Sequence, residues 1–333
     1  MHRVSSRVAD GAIPVVDVAA LRDGSDPLRV ARELHAASTG PGFVYVGGHG
    51  ISDALVERAR TAALDFFGAP PETKRTVAVA GSHRGWLALG GARMDDDVAA
   101  DLKESFVWGL ETVPDDHPLR GANRWPEAMP ALRETATAWF DAADALARDL
   151  LRGFAIGLGR PEDTFLRRAS KPLSRASFVW YPPQEDARGG GASRDGAAGE
   201  RFGVAPHTDF GVLTVLAQDD VGGLEVERAD KTWIEAPPID GTLVVNVADL
   251  LSRWTDGIYR STPHRVVNRS GRERLSLVLA FDPDPDTPID PRDVLGERPG
   301  LAPPIRCGDY LERRFARAFA YRGRDSTSSR ESA

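Results

Sequence analysis

Seven short runs of β-forming residues follow one another in the second half of the chain, and they restrict its fold more than any other feature. Turn residues separate the runs, which cover residues 177–181, 211–218, 223–227, 232–236, 242–247, 264–268 and 275–281. Runs of this length between turns predict strands. About eight such strands in two sheets form a jelly roll, whose mouth can hold a ligand. We therefore predict an α+β fold with a double-stranded β-helix (jelly-roll) core.

Helical patterns flank these runs on both sides. Helices are predicted over residues 26–37, 52–67, 130–158 and 309–320. Asp26 and Ser52 are expected to cap the first two, because a side-chain oxygen before a helix accepts a bond from a free backbone N–H. The third is long with a broad apolar face, which indicates a helix that backs the sheet.

The order of these elements predicts four parts. Residues 1–170 form an N-terminal region of helices and strands, 171–290 the jelly-roll core, 291–321 a C-terminal helix that closes the core, and 322–333 a disordered polar tail. Within the core, residues 185–203 are rich in glycine and other small residues. This segment is either a tolerated surface insertion or a lid that orders over bound substrate.

Composition narrows the range of partners. The chain has 333 residues, a net charge of −7 and a single cysteine, Cys307. The acidic balance argues against a nucleic-acid partner, which would need a basic face. Neither a run of about 20 apolar residues nor a signal-peptide pattern is present, so we expect no membrane partner. One cysteine fits a reducing, cytoplasmic location.

A His-x-Asp motif and a distant histidine have the residue types of an iron site. His207 and Asp209 are two residues apart, and His264 follows in a later run. In an extended chain, residues two apart lie on the same face, so the first two could bind one ion and the third could come from another strand. Two imidazoles and one carboxylate bind ferrous iron and leave positions open for oxygen chemistry. Structural zinc usually takes four protein ligands, and magnesium or calcium takes oxygen ligands.

An Arg-x-Ser pair follows the second histidine by ten residues. Arg274 offers a rigid fork that suits a carboxylate, and Ser276 adds a hydroxyl on the same face. An anion clamp beside a ferrous site predicts an oxygenase with a 2-oxo acid co-substrate.

An ordered set of motifs resembles the isopenicillin N synthase-like family of 2-oxoglutarate/Fe(II)-dependent dioxygenases over about residues 13 to 321. The N-terminal motifs are Ile-Pro-Val-Val-Asp at 13–17, Gly-Phe-Val-Tyr-Val at 42–46, Arg-Gly-Trp at 84–86 and Lys-Glu-Ser-Phe at 103–106. The C-terminal ones are Gly-Gly-Leu-Glu-Val at 222–226, Val-Asn-Val-Ala-Asp-Leu-Leu at 245–251 and Arg-Ser-Thr-Pro-His-Arg-Val at 260–266. The ordered set is far more specific than His-x-Asp alone.

The resemblance implies roles for named residues. By resemblance, His207, Asp209 and His264 bind Fe(II), and Arg274 and Ser276 hold the distal carboxylate of 2-oxoglutarate. Tyr181 matches a family tyrosine that also contacts this co-substrate, and O2 is the oxidant. Many members carry Asn two residues before that tyrosine, whereas this chain has Val179.

The substrate is expected to be a small, partly apolar molecule, in bacterial specialised metabolism such as antibiotic biosynthesis. Its predicted contacts are Arg84, Phe106, Trp108, Phe202, Phe210 and Phe281. Hydroxylation, desaturation and ring formation stay open as outcomes, and so does the oligomeric state. Two alternatives also stay open: an iron oxidase that does not use 2-oxoglutarate, like the family's namesake, and a non-catalytic jelly-roll binding module.

Overall fold

Two β-sheets, one of eight strands and one of four, form the centre of the structure. The structure is a computed structural model, and it describes residues 13–92, 100–111, 117–184 and 202–319. The predicted tail at 322–333 and residues 185–201 of the predicted insertion or lid lie outside the described residues. Among the described helices, none is both long and apolar enough to cross a membrane.

The large sheet contains strands from both halves of the chain. The strands of all the sheets, in chain order, are β1 (Val15–Asp17), β2 (Phe43–Gly47), β3 (Gly85–Leu87), β4 (Glu104–Gly109), β5 (Arg175–Tyr181), β6 (Val204–His207), β7 (Leu213–Gln218), β8 (Leu224–Glu227), β9 (Trp233–Glu235), β10 (Leu243–Val247), β11 (His264–Val266), β12 (Arg274–Phe281), β13 (Pro288–Ile289) and β14 (Ile305–Arg306). The large sheet has the order β1-β2-β10-β7-β12-β5-β4-β3, and the small sheet has the order β6-β11-β8-β9. The last two strands, β13 and β14, pair with each other in a separate two-stranded sheet.

The two sheets enclose an apolar layer of their own. It is formed by side chains from both sheets, among them Tyr45, Val179, Leu224 and Val266. All seven predicted runs form strands, with ends shifted by one or two residues. The predicted α+β fold with a jelly-roll core is confirmed. The first four strands join the same large sheet as the core strands, and the proposed limits of the four parts stay a prediction.

The structure describes eight helices, of which the second, third and fifth pack on the large sheet. They are α1 (Ala19–Arg22), α2 (Pro27–Thr39), α3 (Asp53–Gly68), α4 (Pro71–Thr76), α5 (Pro130–Gly157), α6 (Asp249–Trp254), α7 (Arg292–Leu295) and α8 (Cys307–Ala318). The side chains of Asp26 and Ser52 cap α2 and α3 as predicted, by accepting bonds from Arg29 N at 3.3 Å and Leu55 N at 3.2 Å.

The long helix α5 packs against α2, α3 and strands of the large sheet. Its apolar side chains, including Leu150 and Phe154, are completely or almost completely buried. Each such side chain stabilises the fold by about 1.5–3 kcal/mol relative to an exposed position. The helical layer thus holds the sheet rigid from behind, and the opposite face of the sheet is left to form the site.

Candidate functional site

A cavity of about 190 Å³ lies between the two sheets and brings the predicted metal and co-substrate residues together. Its lining includes His207, Asp209, His264, Arg274, Ser276, Tyr181, Phe210, Val179, Ser177, Val278 and Lys103. Residues from distant parts of the sequence therefore share one cavity.

His207, Asp209 and His264 converge at one wall of this cavity. Asp209 Oδ1 lies 3.7 Å from His207 Nε2 and 3.7 Å from His264 Nε2. One nitrogen or oxygen atom from each residue lies within 4.8 Å of the other two. The histidines face each other across paired strands β6 and β11, where His264 is the partner of His207. Only His207 of the His-x-Asp pair lies in a strand, since β6 ends at His207 and Asp209 lies just beyond it.

Backbone carbonyls fix the tautomer of both imidazoles. His207 Nδ1 lies 2.8 Å from the Ala205 carbonyl oxygen, and His264 Nδ1 lies 3.2 Å from the Thr262 carbonyl oxygen. A carbonyl oxygen can only accept, so each Nδ1 carries the hydrogen and donates it. Each Nε2 is left with a free lone pair that faces Asp209 Oδ1. This is the orientation that metal-binding histidines adopt.

Two donors hold the carboxylate of Asp209 from behind. Thr214 Oγ1 donates to Asp209 Oδ2 at 2.6 Å, and Asn246 Nδ2 donates to the same oxygen at 2.8 Å. The backbone N–H of Asp249 also donates to the Asp209 carbonyl oxygen, at 2.9 Å. The other carboxylate oxygen, Oδ1, is therefore the one presented to the two histidines.

Burial and the neighbouring charges set the protonation of this cluster. Burial lowers the pKa of His207 to about 3, with a further contribution from the charge of His264. Burial opposes ionisation of Asp209, but His264, His207 and the hydrogen bonds from Thr214 and Asn246 outweigh it and lower the pKa of Asp209. An ionised carboxylate beside a neutral imidazole is the state that binds a cation.

We expect His207 to make the free energy of unfolding of the metal-free protein fall as the pH is lowered from about 7 to about 5. Burial raises the pKa of Asp282 to about 6, so that group offsets part of the fall. The unfolded chain protonates His207 near its ordinary pKa of 6.5, whereas the folded chain does so only near 3. Between these values the unfolded state binds more protons, so acid favours unfolding. Urea unfolding at both pH values would measure the change. His207→Gln should reduce this pH dependence, and an unchanged dependence would show that His207 titrates normally in the folded protein.

Arg274 forms the opposite end of the cavity. It is 1 % exposed, and its Nε and Nη1 donate to the Gly222 carbonyl oxygen and to Ser276 Oγ, both at 2.6 Å. The guanidinium also lies over the ring of Tyr181, 4.7 Å from its centroid. Its remaining nitrogen, Nη2, is buried without a hydrogen-bond partner among the described residues. The clamp thus presents an unused cationic donor.

The turn before β8 shapes the backbone that contacts Arg274. Gly222 and Gly223 both have positive φ, at 77° and 83°. A Cβ on Gly223 would lie 2.5 Å from the Val267 carbonyl oxygen, so a larger residue would force the turn apart. The paired glycines therefore allow the Gly222 carbonyl to reach the guanidinium.

Of the six predicted substrate contacts, only Phe210 lines this cavity. The structure places the other five elsewhere, which corrects that part of the prediction. Phe106, Trp108 and Phe281 are buried in the layer between the large sheet and the helices. Arg84 is buried, and a Cβ on Gly109 would lie against its guanidinium. The ring of Phe202 lies beneath the guanidinium of Arg265.

The correction has a simple cause, which is the side of the sheet that each residue faces. Alternate residues along β5 line this cavity or a smaller one beside it, which Ala176 also borders: Arg175, Ser177, Val179 and Tyr181. On β4, Ser105 and Val107 face inwards, so Phe106 and Trp108 face the helices. A shift of one residue moves every side chain to the other face. Counting back by twos from Tyr181 would have found Ser177 and Arg175.

Val179 marks the departure from the family pattern. It lines the cavity directly opposite Ser276, its partner across β5 and β12. Val179 carries no hydrogen-bonding group, so the wall beside the clamp is apolar at this point. The polar contacts of the clamp come instead from Arg274 and Ser276.

Two family models match the chain. Residues 170–283 match the 2OG-Fe(II) oxygenase superfamily, and residues 13–128 match the N-terminal domain described as non-haem dioxygenase in morphine synthesis. Both segments agree with the resemblance that the ordered motifs predicted.

Characterised relatives and a solved structure give the same result. Validamycin A dioxygenase of Streptomyces hygroscopicus subsp. limoneus is 35% identical, over 90% of this chain and 85% of its own. A homoarginine-6-hydroxylase of Glycine max is 31% identical, over 85% of this chain and 89% of its own. The crystal structure of a full-length Neurospora crassa protein in complex with alpha-KG, which is 2-oxoglutarate, has a TM-score of 0.81 at 28% identity and covers 93% of this chain and 98% of the Neurospora chain. The chain therefore belongs to the 2OG-Fe(II) oxygenase superfamily, as a non-heme iron dioxygenase that uses 2-oxoglutarate and O2.

Proposed function

We propose that His207, Asp209 and His264 bind Fe(II) and that Arg274, Ser276 and Tyr181 hold the distal carboxylate of 2-oxoglutarate. The convergence of the three metal-binding atoms within 4.8 Å supports the first assignment. The fixed tautomers support it further, because each histidine presents an Nε2 lone pair to the same point.

The observation that carries the second assignment is the unpartnered Nη2 of Arg274. The two protein acceptors of this guanidinium, the Gly222 carbonyl and the Ser276 hydroxyl, are both neutral. A buried charge without a counter-ion is destabilising by several kcal/mol, so such a site favours the binding of an anion. A carboxylate that accepts from Nη2 supplies this counter-ion and matches the planar fork of arginine.

The two ends of the cavity define how the co-substrate would lie. With its distal carboxylate at Arg274, 2-oxoglutarate extends along the inner face of β12 towards the three metal ligands. Bound Fe(II) supplies the activation of O2 that couples oxidation of 2-oxoglutarate to succinate and CO2 with oxidation of a substrate C–H bond. Asp209 and the two imidazoles would hold the ion, a ligand set that suits ferrous iron. Val179 and Phe210 add apolar walls that limit the access of water.

We propose that the substrate is a small metabolite, oxidised by hydroxylation, desaturation or ring formation in bacterial specialised metabolism. The Streptomyces relative named validamycin A dioxygenase supports this setting, and the Neurospora protein has been crystallised with thymine beside alpha-KG. Relatives from plants and fungi show that the family is not confined to bacteria. A cytoplasmic location stays a prediction, which the single buried thiol of Cys307 supports.

The comparisons favour this function over the two alternatives. The matching family and the relatives are 2-oxoglutarate-dependent enzymes, which speaks against an oxidase without 2-oxoglutarate and against a non-catalytic binding module. The test is anaerobic calorimetry of 2-oxoglutarate with the Fe(II)-loaded protein, followed by oxygen uptake and succinate measurement. Binding of 2-oxoglutarate and substrate-independent formation of succinate are expected. Absence of both would overturn the proposal.

Thr214→Val is expected to weaken Fe(II) binding by about 10- to 100-fold, which is the usual effect of removing a group that holds a metal ligand. Valine keeps the shape of threonine but cannot donate to Asp209 Oδ2, so the carboxylate loses one of its two side-chain anchors. Competition with a coloured chelator measures the affinity. Thr232→Val is the control, because Thr232 bonds Asp230 in an exposed turn. Equal affinities for both variants would contradict the assignment.

A further inference from the structure

A second, smaller cavity of about 150 Å³ adjoins the first along the large sheet. The two share four lining residues, Lys103, Ser177, Val179 and Val278, so they are direct neighbours. Aliphatic side chains and Phe319 line much of the second cavity. Its polar lining residues are His83, Lys103, Ser105, Arg175 and Ser177.

The polar groups of this second cavity are hydrogen-bond donors, and two of them are cations. Among the residues that the structure describes, no carboxylate or side-chain amide lines it. Serine and histidine can donate or accept, whereas lysine and arginine can only donate. A bound molecule that uses Lys103 or Arg175 must therefore present acceptor atoms, and the planar fork of a guanidinium matches the two oxygens of a carboxylate.

Each cation is fixed from behind by a buried aspartate that lies outside the cavity lining. Arg175 Nη2 contacts Asp282 Oδ2 at 2.9 Å, and Lys103 Nζ contacts Asp101 Oδ2 at 3.0 Å. The side chains of both aspartates are 0% exposed. Arg175 Nη1 also donates to the Leu173 carbonyl oxygen at 3.3 Å. These contacts hold the cationic groups in place and still leave N–H groups, since a guanidinium has five and an ammonium three.

The neighbouring strands fix the direction of these side chains. Glu104 faces away from the cavity, where its Oε2 accepts bonds from Lys74 Nζ at 2.9 Å and Trp86 Nε1 at 2.7 Å. Alternation along the chain then directs Lys103 and Ser105 to the inner side. Both cations thus lie on the inner face because of packing and not through a flexible loop.

Strand register places Arg175 close to the metal ligands. Thr214, which holds Asp209, is the partner of Ala280, and Ala280 is the partner of Arg175. Two strand spacings, about 10 Å in all, therefore separate the backbone of Thr214 from that of Arg175. A small molecule bound at Arg175 can extend to the metal site in a few bonds.

We propose that Arg175 binds a carboxylate of the substrate and so directs the remainder of the molecule towards the iron. The substrate class is a small carboxylic acid with a short apolar body. The inference deepens the proposed function and depends on it. It also gives the cavity two arginines with separate tasks: Arg274 for 2-oxoglutarate and Arg175 for the substrate.

The test is anaerobic calorimetry of the Fe(II)–2-oxoglutarate holoprotein with short aliphatic, aromatic and α-amino carboxylic acids, each measured beside its primary amide. The amide keeps the size of the acid but lacks the charge. At least one acid should bind about tenfold or more tightly than its amide, as expected for a charge-assisted contact. A panel in which no acid binds more tightly than its amide would overturn the inference.

The variant R175Q/D282N removes both charges of the buried pair, so neither is left alone. Acid affinity should fall by about 10- to 100-fold and the preference for acid over amide should disappear. The matched control is R148Q/D144N, which removes the ion pair between Arg148 and Asp144 on α5, outside both cavities. This control should keep the preference.

Binding of 2-oxoglutarate to the same proteins distinguishes failure of this inference from failure of the proposed function. Retained binding in R175Q/D282N shows that the variant is folded and that the clamp at Arg274 is intact. If R175Q/D282N still binds the acid more tightly than the amide, Arg175 does not bind the substrate carboxylate. The proposed function would still stand. Failure of the wild-type protein to bind 2-oxoglutarate would instead overturn the proposed function.

Discussion

Arg274→Met is expected to raise the Kd of 2-oxoglutarate by about 10²- to 10³-fold. Loss of one partner from a buried charge pair costs about 2–5 kcal/mol, and each 1.4 kcal/mol is about tenfold in affinity. Methionine fills much of the space of the arginine stem but supplies no donor to the carboxylate. Arg274→Lys should have a smaller effect, because it keeps the charge and loses the planar fork.

The same substitution should also remove the stabilisation of the folded protein by 2-oxoglutarate. In the wild-type protein without ligand, the guanidinium is buried and its Nη2 lacks a partner. An anion that binds only the folded state should therefore raise the melting temperature. We expect 2-oxoglutarate to stabilise the wild-type protein and to leave the melting temperature of Arg274→Met almost unchanged.

Anaerobic calorimetry and thermal unfolding with and without 2-oxoglutarate measure both effects. Arg272→Met is the matched control, because Arg272 lies two residues earlier, is exposed and pairs with Asp220. Loss of an exposed pair outside the cavity should change the affinity by no more than about twofold. If Arg274→Met binds 2-oxoglutarate as tightly as the wild-type protein, the co-substrate does not use this clamp.

The residue types at the site could be predicted from the sequence because the chemistry restricts them. Few side chains bind ferrous iron, and His207, Asp209 and His264 have the spacing that two strands can bring together. Arg274 and Ser276 likewise follow the alternation of a single strand, and both line the cavity. The order of the family motifs along the chain then supported the prediction of the whole jelly-roll fold.

The substrate end of the cavity could not be predicted in the same way. Large aromatic side chains such as Phe106 and Trp108 suit a binding pocket and a core equally well, and the sequence does not state which face of β4 is covered by helices. Packing of Phe106 against Phe66 of α3 decides it. The polar residues that do line the second cavity, such as Ser177 and Arg175, carry no motif and are identified only by strand register.

The hydrogen-bond partners of the proposed metal ligands also could not be predicted from local sequence patterns. Thr214 and Asn246 come from neighbouring strands β7 and β10, and both bond one oxygen of Asp209. The carbonyl partners of the two imidazoles are visible only once the backbone path is known. These contacts decide which lone pairs face the ion. The identity of the ligands could be predicted from the sequence, but their orientation depends on tertiary structure.

Asp209→Asn is expected to weaken Fe(II) binding by about 10²- to 10⁴-fold and to remove turnover at ordinary iron concentrations. The variant keeps the size of the side chain but deletes the one negative charge among the three proposed ligands. Removing one partner of a buried ion pair costs about 3–5 kcal/mol, and about 1.4 kcal/mol corresponds to a tenfold change in affinity. Anaerobic competition with a chelator measures Fe(II) affinity, and succinate formation measures turnover.

The amide cannot recover the lost binding by rotating. Asp209 Oδ2 accepts from two donors, Thr214 and Asn246, while Oδ1 faces the histidines. An asparagine that places its oxygen towards the donors presents its NH2 group to the ion, and the reverse orientation sets its NH2 group against them. Asp249→Asn is the matched control, because that carboxylate binds Ser261, Tyr310 and Arg314. Wild-type Fe(II) affinity in Asp209→Asn would place the iron elsewhere. An equal loss in Asp249→Asn would trace the effect to the backbone bond between Asp249 and Asp209 and not to ligation.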